Sequence, residues 1–130
     1  MYHGKKRVKD LLAEANEKIE QIPAEEAINL IDDEKIVFVD VRETDETANG
    51  MIPNAFHAPR GMLEFYIDPE SPAHKKDFAQ DKKFIFYCGS GGRSALSALT
   101  VQRMGLEPVA HIPGGFPAWK NAGGPTSDTG

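Results

Sequence analysis

Only one cysteine, Cys88, occurs in this chain of 130 residues. An internal disulfide is therefore excluded, and so are cysteine-rich zinc sites. No apolar run approaches the roughly 18 residues a membrane helix needs, so no membrane span is expected. Basic residues are not in excess: 15 Lys and Arg against 20 Asp and Glu leave a net charge of −5. That balance lacks the basic face of a general nucleic-acid binder. The start "MYHGKKRVKD" is basic, but "VKDLLAEANEKIE" brings charges at once where a signal peptide needs an uninterrupted apolar stretch. The expected compartment is the cytoplasm. There is no internal repeat and no low-complexity linker. What is present, 40% hydrophobic and 27% charged residues, suits one globular domain with a real core.

Along the chain, helical and strand patterns alternate. Val8, Leu11, Leu12, Ala15 and Ile19 recur at helical spacing and predict a helix over residues 5–21. "PAEEAINLID" predicts a second helix, with Pro23 at its start. "KIVFVDV" and "KKFIFYC" are continuous apolar runs, as expected of strands covered on both faces. "ETDETANG" reads as a short acidic helix or turn, "AFHAP" as a short strand and "GMLEFYID" as a helical turn. "GRSALSALTVQRMG" is the clearest helix, with Ala95, Leu99 and Met104 near one face and Gly105 as its stop. "PVAHI" predicts another strand and "GGFPAWKNAG" a last short helix. The class is α/β with a mostly parallel sheet. The domain proper is expected over residues 22–125, after an N-terminal helical extension at 1–21 and before a frayed tail at 126–130.

The lone thiol sits at the seam between a strand and the clearest helix, in "FIFYCGSGGRSALSALTVQRMG". In an open α/β sheet, ligands bind beyond the carboxyl ends of the strands, and Cys88 lies at such an end. Gly89, Gly91 and Gly92 allow a tight curl whose N–H groups point inward and make a nest for an anion. The dipole of a helix starting near Arg93 or Ser94 adds partial positive charge, and Arg93 adds a full one. Such a setting lowers a thiol pKa from ~8.5 to roughly 3.5–7.5, which makes Cys88 a candidate thiolate nucleophile. The plainer reading is a small buried hydrophobe before a glycine-rich turn. "GSGGRS" does not match the nucleotide loop G-x-x-x-x-G-K-[ST], and it lacks the last glycine of G-x-G-x-x-G.

Four blocks in order resemble the rhodanese-like domain family, of the single-domain bacterial type. These are "VFVDVRE" (37–43), "GMIPNAFHAPRGMLEF" (50–65), "YCGSGGRSALSA" (87–98) and "IPGGFPAWKNAGGP" (112–125). The resemblance implies a central, mostly parallel five-stranded sheet flanked by helices on both faces, with an extra N-terminal helix. It implies a thiosulfate sulfurtransferase that carries sulfur as a persulfide on Cys88. The loop Gly89, Ser90, Gly91, Gly92, Arg93 and Ser94 would bind the substrate and the persulfide. The implied partners are a thiosulfate-like donor and a cyanide, small-thiol or protein-thiol acceptor. No metal and no cofactor is implied, and neither a nucleic acid nor a membrane. Asp40 and Arg42 end a strand and read plainly as a helix cap and a surface ion pair; the resemblance implies instead that Asp40 supports the loop and that Arg42 pairs with an acidic residue such as Glu46.

Other readings stay open at this point. A binding or regulatory module could hold sulfur without turnover. A cysteine-dependent phosphatase would use Cys-x5-Arg, whereas Cys88 and Arg93 enclose only the four residues 89–92. Tyr87 stands where phosphatases usually place a histidine. Arg60 either reaches the pocket to bind a sulfonate or is a solvated loop residue. Arg93 either binds the anion or orders the loop by bonding backbone carbonyls. Ser90 and Ser94 are candidate donors to the sulfur, and Ser94 is equally a helix-start residue. His57 and His111 are candidate bases, but a pre-formed thiolate needs none, and both read as hydrogen-bonded structural residues. Trp119 and Phe116 are expected to pack the last helix onto the sheet. Met51, Asn54 and Gly92 depart from the family pattern, and the missing side chain at Gly92 predicts a more open pocket mouth.

Overall fold

The computed structural model describes residues 1–128. Its centre is a sheet of five parallel strands: β1 (Glu20–Gln21), β2 (Ile36–Asp40), β3 (Phe56–His57), β4 (Lys83–Tyr87) and β5 (Val109–His111), in the order β1-β5-β4-β2-β3. The helices are α1 (Val8–Lys18), α2 (Ala24–Ala27), α3 (Thr44–Thr47), α4 (Leu63–Ile67), α5 (Gly92–Arg103) and α6 (Gly115–Asn121). Single 3-10 turns lie at Ile28–Leu30, Arg60–Met62 and Lys76–Ala79.

Successive strand residues point to opposite faces, and both faces are covered. Val39, Phe84 and Phe86 meet Ala95, Ala98 and Leu99 of α5 on one side. Phe38, Ile85 and Tyr87 meet Ala27, Phe116 and Trp119 on the other. Burying each such large side chain contributes about 1.5–3 kcal/mol. Trp119 is fully buried, meets Phe38 edge to face at 5.6 Å and donates its indole N–H to the Pro125 carbonyl. The expectation that it packs the last helix onto the sheet holds.

Several boundaries differ from the sequence reading. The first helix stops at Lys18 instead of residue 21, because Glu20 and Gln21 pair with Ala110 and His111 as an edge strand. Asp10 accepts from the Arg7 N–H at 2.8 Å and closes the start of α1. In α1 and just after it, Leu12, Ala15 and Ile19 pack inward while Val8 and Leu11 stay exposed. Met104 is exposed, since α5 ends at Arg103 and the chain turns away at Gly105, φ 106°. The tail expected to fray is tied down in part: Met51 and Ser127 exchange backbone hydrogen bonds of 2.9 Å each. Residues 129 and 130 lie outside the described residues.

Because every strand runs the same way, the carboxyl ends of β2, β4 and β5 share one edge. Asp40 stands beside Tyr87, and Phe86 beside His111. That register gathers Asp40, Arg42, Cys88, His111 and the 112–115 loop at one rim.

Candidate active site

Cys88 follows β4 directly and has no solvent exposure. Its Sγ accepts the Gly91 N–H at 3.0 Å and the Ser94 N–H at 3.4 Å, and lies 3.6 Å from the Ser94 hydroxyl. The Ser90 main chain also favours the charged form of the sulfur. Burial pushes the thiol up, but these donors outweigh it and hold Cys88 below its ordinary value. The anion nest expected from the glycines is therefore built of main-chain N–H groups, with α5 opening at Gly92, a residue or two earlier than the sequence suggests.

Two glycines make the curl possible. Gly91 has φ 100°, and a Cβ there would meet the Gly114 nitrogen at 3.0 Å. Gly115 has φ 61°, and a Cβ there would collide with the Cys88 carbonyl. That carbonyl accepts the Phe116 N–H at 2.8 Å, so the start of α6 clamps the back of the cysteine loop. Gly92 is different: only Leu12 of α1 comes near, its Cδ2 3.8 Å from a Cβ built there. The mouth expected to be open at this point thus has Leu12 beside it.

Among the described residues Arg93 has no backbone carbonyl partner, and it does not face the sulfur as a free cation. Its guanidinium makes a two-pronged ion pair with Glu46 of α3, at 2.7 and 2.9 Å. The pairing raises Arg93 and holds the Glu46 carboxyl down at about 2. Because the folded value lies below the unfolded one, this contribution is complete above the ordinary carboxylate range and is lost as pH falls through about 2. Both side chains are more than a third exposed, so the pair adds little to stability.

Glu46 is consequently not the side-chain partner of Arg42, as the resemblance implied. Arg42 pairs with Asp40 instead: its Nη2 lies 2.7 Å from Oδ2 and its Nε 3.0 Å from Oδ1. The Arg42 main-chain N–H adds a bond of 2.9 Å to Oδ1, and Nη2 donates to the Gly50 carbonyl at 2.7 Å. The reason is geometric: residues two apart at a strand end share a side, and the carboxylate is already there. The guanidinium also lies 4.5 Å from the Phe116 ring centroid. Burial works against its charge, yet the bonds to Asp40 win and raise Arg42.

Tyr87 points away from the loop to the opposite core. Its hydroxyl accepts the Ile52 N–H at 3.1 Å, and burial raises it far above the ordinary tyrosine value. His57 bonds the Arg42 carbonyl at 2.7 Å. His111 is buried between Ser94 and Asn16, bonded to both at 3.1 and 2.9 Å. Both histidines are hydrogen-bonded, as the sequence reading has them. Asn16 was not singled out by sequence, and nothing local marks it.

Arg60 is brought elsewhere. It pairs with Glu64 at 3.1 Å, bonds the Thr100 hydroxyl at 3.3 Å and lines a cleft with Leu11 and Arg103. The 3-10 turn at Arg60–Met62 directs it over α4 and α5 and away from Cys88. Arg60→Ala is therefore expected to leave cysteine reactivity unchanged and to cost under about 1 kcal/mol. Alkylation rates and urea unfolding of the variant would check this; a large loss of reactivity would return Arg60 to the site.

A cleft of about 180 Å³ adjoins the loop between Leu12 and Asn16 of α1 and Ser90, Gly91 and Gly114. A second lies beyond Gly89, bordered by Glu46, Phe116 and Lys120. Among the described residues no helix is long and apolar enough to cross a membrane.

Comparison with known proteins places this arrangement. The profile of the Rhodanese-like domain matches residues 23–122. The thiosulfate sulfurtransferase GlpE of Coxiella burnetii is 34% identical over 108 residues, covering 83% of this chain and 92% of the relative. A sulfurtransferase of Allochromatium vinosum is 31% identical over 96 residues, covering 74% of this chain and 82% of the relative. A solved structure from Rhodopseudomonas palustris, described as a protein of unknown function and possible tyrosine phosphatase, superposes with a TM-score of 0.93. It is 49% identical and covers 98% of each chain.

Proposed function

This chain belongs to the Rhodanese-like domain family, with relatives named as sulfurtransferases, and from that membership we propose that it moves a sulfane sulfur through a persulfide on Cys88. The Cys88 thiolate attacks the outer sulfur of a donor such as thiosulfate. The sulfur–sulfur bond of the donor breaks and sulfite leaves with its electron pair. The terminal sulfur of the persulfide is anionic, and the inward N–H groups stabilise it. A thiol or cyanide then attacks that outer sulfur, and Cys88 returns as thiolate. The observation that carries this reading is the Cys88 Sγ inside a ring of main-chain donors, with Gly91 N–H at 3.0 Å. The adjoining cleft of about 180 Å³ supports a small donor. Residues 1–21, with α1, are proposed as an extension that borders this cleft.

The description of the Rhodopseudomonas palustris protein favours comparison with a phosphatase. A phosphoryl group would need a free guanidinium, and Arg93 is engaged by both oxygens of Glu46. The small loop and that ion pair support sulfur over phosphate.

Mass spectrometry of the whole protein with thiosulfate tests the proposal. The expected gain is one sulfur, about 32 Da, removed by cyanide or a small thiol. No gain would end the sulfur-transfer reading. A gain that no acceptor removes would point to the non-turnover module. Vanadate or arsenate inhibition of phosphate-ester hydrolysis, without sulfur loading, would establish the phosphatase.

A further inference from the structure

A chain of hydrogen bonds leads from Cys88 across the sheet edge to α1. Cys88 Sγ lies 3.6 Å from Ser94 Oγ, Ser94 Oγ lies 3.1 Å from His111 Nδ1, and His111 Nε2 lies 2.9 Å from Asn16 Oδ1. Three elements besides the cysteine loop supply it: α5, β5 and α1. The simple persulfide scheme uses only the first residue.

The donors and acceptors fix the protons. An amide oxygen can only accept, so Nε2 carries a proton and faces Asn16. In the neutral ring Nδ1 is then an acceptor, and the Ser94 hydroxyl donates to it. The hydroxyl has a second acceptor in reach, donating toward the Gly91 carbonyl at 3.2 Å, but that carbonyl also receives the Ala95 N–H at 3.2 Å and stays paired when the hydroxyl turns to the ring. With Cys88 as thiol, S–H points to Ser94 Oγ, and all three groups are paired. With Cys88 as thiolate, the Ser94 proton is wanted at sulfur. Nδ1 would then be left as a buried acceptor without a donor, a costly state. It is restored if the ring itself carries the proton and donates to Ser94 Oγ.

We propose that His111 is the internal proton acceptor of Cys88, acting through the Ser94 hydroxyl and oriented by Asn16 of α1. The S–H bond breaks and its proton moves to Ser94 Oγ, while the original Ser94 proton moves to His111 Nδ1. Ser94 ends unchanged, sulfur keeps its electron pair, and a thiolate faces an imidazolium across one hydroxyl. No outside base takes part, and the net charge of the cluster is constant. His111 is a positioning residue here, since it touches the nucleophile only through Ser94. The proposal deepens the reading of Cys88 as the nucleophile and rests on it.

The surroundings leave the two groups to each other. From α5 the ring meets Ser94, from α1 Asn16, and on β1 Gln21 stands opposite it in the ladder. Several charged groups of those elements are engaged elsewhere. Glu14 of α1 is held by Lys18 and Arg103, Glu20 of β1 by Lys83 of β4, and Arg93 of α5 by Glu46. Within the folded chain burial is the one cause acting on His111, and it lowers the ring to about 4. An imidazolium at neutral pH therefore needs the thiolate beside it.

Two readouts on the full chain test this without any sulfur donor. The first is the imidazole nitrogen signals of His111 by NMR, in the wild type and in Cys88→Ala. The second is the pH profile of Cys88 alkylation by iodoacetamide, in the wild type, His111→Gln and Asn16→Ala. The expected result is an imidazolium in the wild type at neutral pH and a neutral ring in Cys88→Ala. Alkylation near pH 6 should fall about tenfold in His111→Gln, one unit of displacement, with a smaller shift in Asn16→Ala. A neutral His111 in the wild type, with the same signals as in Cys88→Ala, overturns the proposal even if His111→Gln reacts slowly. An unchanged alkylation profile in a folded His111→Gln also overturns it. If the imidazolium is seen but thiosulfate adds no sulfur, the proton path stands and the sulfur-transfer reading fails.

Discussion

Cys88→Ser is expected to take up no sulfur from thiosulfate and to lose transfer to cyanide by at least about a thousandfold. The change replaces one atom. The hydroxyl can accept the same Gly91 and Ser94 N–H groups that now reach Sγ at 3.0 and 3.4 Å, so the loop has every reason to keep its shape. What is lost is ionisation. The cradle holds the Cys88 thiol below its ordinary value against the pull of burial. The same cradle acting on an alcohol starts from far higher and leaves it protonated. An unionised hydroxyl is a poor nucleophile toward the outer sulfur, and a serine bearing sulfur would not be a persulfide. Intact-mass measurement after exposure to thiosulfate, with thiocyanate release as the second readout, checks both halves. Equal mass gain in wild type and variant would mean that sulfur binds elsewhere, and the cysteine mechanism would fall.

The parts of the fold that were plain in the sequence are those where one segment carries its own signal. Ile36–Asp40 and Lys83–Tyr87 read as strands because both faces are covered and the run is apolar almost throughout. The helix after Cys88 carried its own periodicity and its stop at Gly105. Glu20 and Gln21 gave no such signal. Two exposed polar residues have no pattern, and they become a strand only because β5 offers them an edge. The site divides the same way. Cys88, its glycines and the helix start lie in one loop, and that part of the site was legible. Arg93 and Glu46 are 47 residues apart, and His111 and Asn16 are 95 apart. No local rule pairs them, since packing of α3 and α1 against the rim chooses the partners. Arg42 is the exception that could have been read. The i,i+2 spacing to Asp40 at a strand end was a sufficient signal, and the family resemblance pointed to Glu46 instead.

The same Asp40–Arg42 pair gives the second large effect, on stability. Arg42→Ala is expected to cost about 3–5 kcal/mol, a large share of the ~5–15 kcal/mol that holds an ordinary domain folded. Asp40 has no exposure and Arg42 only 5%. Truncation strands a carboxylate that accepts Nε and Nη2, and it leaves the Gly50 carbonyl without its 2.7 Å donor. The damage should extend to the thiol. The guanidinium braces the Phe116 ring at 4.5 Å, and the Phe116 N–H holds the Cys88 carbonyl at 2.8 Å. A loosened α6 therefore loosens the cradle, and Cys88 alkylation should slow in the folded fraction as well. A double variant, Asp40→Leu with Arg42→Met, separates the two costs. It removes the stranded charge and should recover much of the stability, because apolar replacements of buried ion pairs are often neutral or better. It does not restore the planar cation over Phe116, so reactivity should stay low. Urea unfolding of the three proteins, read beside their alkylation rates, checks the set. A loss below about 1 kcal/mol for Arg42→Ala would show the pair behaving like a surface one, and the link from Arg42 through Phe116 to Cys88 would lose its footing.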